Sequence, residues 1–209
     1  MPENCYPGDC ELTQALLAKA RAGQPPDERG YIWRSCFERA RPVTLLLLDV
    51  DGVLTDGSIT YNHEGQEIKS FHSRDGFGMN ILQQAGIKIG LITARQSEAV
   101  ARRAKDLRIA HLYQGKRDKM AAYEEIIQAE QIDERQVAYM GDDWLDLPLL
   151  RRVGFSATVA DAAPEVRKLV HYTTRASGGR GAVRELCDLL LEAKGLTEQM
   201  LTPFLAGPG

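Results

Sequence analysis

Apolar residues along this chain fall into short unbroken runs that alternate with stretches of helical spacing. Residues 43–48, Val-Thr-Leu-Leu-Leu-Leu, hold no charge and stop at Asp49. Such a run reads as a strand buried on both faces, as in a parallel sheet. Residues 87–93 and 137–140 repeat the pattern, and 110–113, 155–159 and 170–172 read as shorter strands. Between them lie helical stretches at 75–84, 96–107, 116–131, 145–153, 163–169 and 181–194. The 75–84 helix is expected to open at Asp75, turn Phe77, Ile81 and Leu82 inward, and end at Gly86. The 116–131 helix carries Met120, Tyr123, Ile126 and Ile127 on one side, and Asp133 reads as the cap of one more turn. Strands alternating with helices of this length predict an α/β fold with a doubly wound, Rossmann-like and mostly parallel sheet.

One stretch breaks the alternation. Residues 58–61 and 66–71 read polar-apolar around the turn-forming Asn62-His63-Glu64-Gly65, which predicts a β-hairpin inserted after the first strand. Its exposed aromatic face calls for a cover, and a second subunit is the expected one. Residues 1–41 read as an N-terminal extension with short helices at 11–21 and 31–41. The main domain is then 42–195, and the Pro- and Gly-bearing residues 196–209 read as an irregular tail.

Composition narrows the function classes. The 209 residues are 44% hydrophobic and 26% charged, and their net charge is −3. No basic stripe favours nucleic acid, and no apolar run approaches the ~20 residues of a membrane helix. Four cysteines without C-x-x-C spacing, and no signal-peptide pattern at the N-terminus, fit a reduced cytoplasmic protein.

The chemistry sits at the ends of the predicted strands. Asp49 and Asp51 flank one residue at the carboxyl end of the first strand, where open α/β sheets place ligands. An Asp-Gly turn after a core strand is the plain alternative, yet paired carboxylates beside an apolar run call for a cation. Thr93 ends the second core strand; Thr93 or Ser97 also fits the cap of the next helix. Lys119 begins a helix, where a cation opposes the helix dipole; a solvated surface lysine is its plain alternative. Asp142, Asp143 and Asp146 crowd one strand-to-helix turn, which points to a cation site. In this order the set suits phosphoryl transfer. Mg²⁺ on Asp49, Asp142 and nearby oxygens cancels the repulsion of a phosphate dianion, Asp49 attacks phosphorus, and Asp51 serves as acid and then base. Thr93 and Lys119 hold the equatorial oxygens.

The run Asp49-Val50-Asp51-Gly52-Val53-Leu54-Thr55 resembles the D-x-D-x-[TV] motif of the haloacid dehalogenase superfamily, and Thr93, Lys119 and Gly141-Asp142-Asp143 with Asp146 match its later motifs in order. The same run through Gly57, Arg74-Asp75-Gly76-Phe77-Gly78 and residues 178–185 are similar to the 3-deoxy-D-manno-octulosonate 8-phosphate phosphatase family. That resemblance implies Mg²⁺ dependence, a capless core, a homotetramer and a role in lipopolysaccharide precursor synthesis. It also implies that the Asp51 carbonyl joins Asp49 and Asp142 on the metal, with Asp143 and Asp146 supporting them. The intervals between motifs have no room for a lid domain, so a neighbouring subunit is expected to close the site. Arg180, in a glycine-rich loop, and Arg74 and Arg95 are candidates for the carboxylate of an acidic sugar. Two other readings stand beside this one: a phosphatase of a nonulosonate 9-phosphate, and a receiver-like signalling domain.

Overall fold

A computed structural model of the chain describes residues 28–205. The expected helix at 11–21 lies outside them. The chain divides into two units between Arg34 and Ser35. Helix α1, Glu28–Ser35, reaches that division, and everything below concerns the second unit.

Six parallel strands form the main sheet: β1 Leu45–Leu48, β4 Lys88–Ile92, β5 His111–Tyr113, β6 Val137–Met140, β7 Phe155–Thr158 and β8 Tyr172–Thr173. Their order is β5-β4-β1-β6-β7-β8, which is the expected α/β Rossmann-like arrangement. All four leucines of β1 are buried to 1% or less, because β4 and β6 pair on its two edges and helices cover the faces. Burying one such side chain contributes about 1.5–3 kcal/mol. Gly90 lies in register with Leu47, and a Cβ there would meet Leu47 Cδ2 at 2.6 Å.

The connecting helices are α2 Phe37–Ala40, α3 Ser73–Gln84, α4 Glu98–Asp106, α5 Lys119–Glu130, α6 Leu147–Arg152, α7 Pro164–Arg167, α8 Ala182–Ala193 and α9 Thr197–Leu205. Helices α2, α3 and α9 pack on α8, and α5 packs on α6. The hairpin is present as β2 Thr60–Tyr61 paired antiparallel with β3 Glu67–Ile68.

Three expectations fail. The tail is not irregular, since α9 runs through it. Phe77 does not face inward but is 44% exposed. The packed side of α3 is lined by Asp75, Gly76, Gly78 and Met79 together with Ile81 and Leu82, which face inward as expected. A Cβ at Gly78 would crowd Arg184 and Cys187 of α8, so Gly78 sets how closely α3 and α8 approach. Phe77 meets Phe204 of α9 edge to face at 5.5 Å, with the Arg184 guanidinium 5.5 Å over its ring. Asp75 is the third residue of α3 rather than its start, and it is buried. Its Oδ1 accepts from the Arg184 amide at 2.7 Å, capping α8 where Gly181 has no side chain to do so.

At the far edge of the sheet, the Ser156 amide donates to His171 Nδ1 at 3.0 Å, and the Ser156 hydroxyl lies 2.8 Å from the same nitrogen. That geometry accepts only a neutral ring. Burial, then the charge of Arg39, lowers the His171 pKa from 6.5. Below 6.5 the unfolded ring therefore binds protons that the folded ring refuses, so stability falls as pH drops through this window and is recovered as pH rises. His171→Asn is expected to flatten this part of the profile, measured as the change in Tm between about pH 7.5 and pH 5.5 in variant and wild type. An equal acid loss in both proteins would assign it to other groups.

Candidate active site

The strand order reverses at β1, with β4 on one side and β6 on the other. The carboxyl end of β1 is therefore the switch-point crevice of the sheet. Asp49 follows β1 there, its amide bonded to the Met140 carbonyl at 2.9 Å. Gly52 makes the next turn with φ +86°, and a Cβ at this position would overlap the Asp142 carboxylate. Only glycine lets the β1 turn approach Asp142 this closely.

Thr93 leaves β4 buried, its amide held by the Tyr113 carbonyl at 2.9 Å. Its hydroxyl accepts from the Arg95 amide at 3.2 Å and does not cap α4. Ser97 holds the cap position but makes no side-chain cap bond. Lys119 is no surface lysine, for its side chain is 3% exposed. Asp118 caps α5, leaving Lys119 to reach inward to Asp49 Oδ1 at 3.0 Å and Asp146 Oδ1 at 2.6 Å. Burial alone would lower its pKa, but Asp49 and Asp146 outweigh burial and raise it above 10.5.

Asp49, Asp142 and Asp146 each offer a carboxylate oxygen, and these lie within 4.8 Å of one another. The four acceptor positions of Asp146 are taken. Oδ1 receives Lys119 Nζ and, at 2.5 Å, the buried Tyr139 hydroxyl; Oδ2 receives the amides of Asp142 at 2.9 Å and Asp143 at 3.1 Å. Asp146 thus braces the turn. Asp143 is exposed and caps that turn through the Trp144 amide at 2.8 Å. Asp49 and Asp142 keep free oxygens. Three carboxylates face one ammonium, and the donors are hard oxygens, a set that fits a divalent cation such as Mg²⁺.

Burial and mutual repulsion both raise the two carboxylates that keep free oxygens. Burial first, then Asp146, pushes Asp49 up to about 7 against the pull of Lys119. Burial, then Asp49, Asp146 and Asp143, pushes Asp142 up to about 7. A cation must displace protons from these groups below that pH, so Mg²⁺ affinity is expected to rise with pH, by roughly tenfold per unit for each proton displaced. Calorimetry in two buffers of different ionisation heat reads the proton release directly. Binding without release near pH 6.5 would contradict the shared site.

The remaining candidates divide. Asp51 does not join the carboxylate cluster with its side chain; Lys69 Nζ bonds its Oδ1, and Arg95 Nε lies 4.0 Å from its Oδ2. Arg95 is therefore at the site, also paired with Glu67 at 2.7 Å. Arg180 lies 3.5 Å from Asp56 Oδ2, in the loop that crosses the backbone of residues 52–56. A Cβ at Gly178 of that loop would overlap the Gly52 carbonyl, and the Gly179 amide bonds the Val53 carbonyl at 2.9 Å. Arg74 is exposed on the first turn of α3. Lys69, Glu67 and Tyr139 are site residues that motif order does not reveal. The signal for Tyr139 is a hydroxyl inside a fully buried strand; that for Lys69 and Glu67 is their shared face of the hairpin.

The sequence pattern of haloacid dehalogenase-like hydrolases matches residues 109–186. The 3-deoxy-D-manno-octulosonate 8-phosphate phosphatase KdsC of Yersinia pestis is 47% identical over 158 residues, covering 76% of this chain and 84% of the relative. The chain belongs to the 3-deoxy-D-manno-octulosonate 8-phosphate phosphatase family. KdsC of Escherichia coli K12 is 44% identical over 170 residues, covering 81% of this chain and 90% of that one. A structure of the family enzyme from Moraxella catarrhalis, in complex with magnesium ion, phosphate ion and a KDO (3-deoxy-D-manno-octulosonate) molecule, has a TM-score of 0.80 at 40% identity. It covers 82% of this chain and 98% of its own. Among the described residues of this family member, no helix is long and apolar enough to cross a membrane.

Proposed function

We propose that this chain is a Mg²⁺-dependent phosphomonoesterase that hydrolyses KDO 8-phosphate to the free sugar acid and phosphate in lipopolysaccharide precursor synthesis. The observation that carries the reading is the convergence of Asp49, Thr93, Lys119 and Asp142 on the switch-point crevice of a chain so similar to KdsC.

Asp49, Asp142 and the Asp51 carbonyl would hold the cation, while Asp143 and Asp146 fix the turn that carries Asp142. When bound, Mg²⁺ neutralises the carboxylates and orients the phosphate dianion. A carboxylate oxygen of Asp49 bonds to phosphorus as the bond to the sugar oxygen breaks, giving an aspartyl phosphate. Asp51 gives its proton to the departing alkoxide, then takes one from the water that attacks phosphorus and frees Asp49. The Thr93 hydroxyl and the Lys119 ammonium hold the equatorial oxygens where negative charge concentrates. The Lys119–Asp146 pair keeps that ammonium fixed in place. Arg95, Arg180 and Arg74 are the candidates for the sugar carboxylate, and Arg95 Nε lies 4.0 Å from Asp51 Oδ2.

The enzyme works as a cytoplasmic homotetramer. Support comes from the hairpin, whose Ile59, Tyr61 and Ile68 are each about half exposed and would be covered by a neighbouring subunit. Light scattering on the eluting protein reads the assembly.

A panel of phosphorylated sugar acids with added Mg²⁺ tests the substrate. The highest kcat/KM is expected for KDO 8-phosphate. Preference for a nonulosonate 9-phosphate would reassign the substrate and keep the chemistry. Absence of phosphate release from every member, with a long-lived phosphorylated protein, would favour the receiver-like reading.

A further inference from the structure

The exit strand of the hairpin turns its polar side toward the site. Ile68 is 50% exposed, whereas the side chain of Lys69, just beyond β3, is 1% exposed. Its ammonium bonds Asp51 Oδ1 and lies 3.4 Å from Glu67 Oε1. Glu67 Oε1 also accepts from Arg95 Nη2 at 2.7 Å, and Arg95 Nε closes the circuit 4.0 Å from Asp51 Oδ2. Two acids and two bases thus alternate in a ring with Asp51 in it. Burying a lysine costs side-chain entropy and hydration, and a surface hairpin has no packing need for one. The chain nevertheless exposes Ile68 and hides Lys69.

The ring fixes a direction. Asp51 lies within the turn that the Val53 amide closes on the Val50 carbonyl, and its side chain is otherwise free to rotate about χ1. Cations approaching its two oxygens from different elements leave it one orientation. A proton donor must sit within hydrogen-bond reach of the leaving oxygen, and small misplacement is costly.

We propose that Lys69 is a positioning residue for the proton transfers of Asp51, and that Glu67 positions Lys69 and Arg95 in turn. The inference rests on the reading of Asp51 as acid and base. The hairpin is then part of the reacting machinery as well as a subunit contact.

Leaving-group dependence tests this. An alkoxide of a sugar needs a proton as it departs, whereas p-nitrophenolate does not. The ratio kcat/KM reports the steps through departure of the leaving group, before hydrolysis of the aspartyl phosphate. Lys69→Met is expected to lower kcat/KM on the sugar phosphate by about 10²-fold, carried by kcat with KM within about twofold, while p-nitrophenyl phosphate changes less than about threefold. In the Asp51→Asn background the same change should add less than about twofold. Glu67→Gln, which keeps volume, should show the same selectivity at about tenfold and stands in if Lys69→Met fails to fold. Equal losses on both esters, or an undiminished effect of Lys69→Met without Asp51, would overturn the proposal. Failure of the substrate reading shows separately, as a wild-type enzyme that prefers another alkyl phosphate, on which the same ratio is then measured.

Discussion

Asn at position 49 leaves a folded protein that turns over no sugar phosphate. Asp49→Asn preserves shape and keeps an oxygen for Lys119, which lies 3.0 Å from Oδ1 in the wild type. An amide does not attack phosphorus, so kcat is expected to fall by about 10⁴–10⁶-fold, the usual scale for a lost nucleophile. Stability should hold or rise. Burial and Asp146 already push Asp49 toward its neutral form, with a pKa of about 7, and the amide is neutral at every pH. Activity within about a hundredfold of wild type would reject Asp49 as the nucleophile. A Tm loss larger than a few degrees would instead show that the charge of Asp49 holds the fold.

The second large effect falls on Lys119. Its ammonium faces Asp49 and Asp146, with the Tyr139 hydroxyl 3.2 Å away, all inside the protein. Lys119→Met fills the space and removes the charge, leaving two buried carboxylates unpaired. Breaking such a pair costs about 3–5 kcal/mol, which in a domain of this size lowers Tm by roughly 6–20 °C. The sign with pH follows from the same groups. Without Lys119, which pulls both groups down, Asp49 and Asp142 titrate higher still, so the variant is best off with them protonated and loses stability as pH rises. The deficit in Tm, measured with a chelator present, should therefore be larger at about pH 8 than at about pH 6. Catalysis falls as well, because the equatorial oxygens lose their cation. A deficit independent of pH would mean that the lysine matters only through packing.

Chemistry tied to strand ends is legible in the amino-acid sequence. Asp49, Thr93 and Asp142 stand at or just beyond the ends of buried runs, and a parallel sheet brings the carboxyl ends of neighbouring strands together. Lys119 is legible only by its order among the motifs, since nothing local separates it from a solvated lysine. The hairpin and its exposed apolar side, with Ile59, Tyr61 and Ile68, are legible. Alternation puts Glu67 and Lys69 on the opposite side but does not say that Lys69 turns to Asp51 and Glu67 to Arg95. Phe77 misleads for a related reason. Gly76 and Gly78 carry no hydrophobic signal, yet they are packed positions of α3, so the apolar pattern places Ile81 and Leu82 correctly and misplaces Phe77. Helix α9 is hidden by Gly195 and by Pro203 inside it. Its Phe204 meets the exposed Phe77, a contact that no local pattern records.

Covalent capture tests the central claim most directly. Wild-type enzyme is quenched in acid during turnover of KDO 8-phosphate with Mg²⁺, and the phosphoryl group is mapped by mass spectrometry of its peptides. The phosphoryl group is expected on Asp49 and is expected to vanish when Mg²⁺ is withheld. A phosphoryl group on any other side chain while product forms would contradict the assignment of Asp49 as the residue that attacks phosphorus.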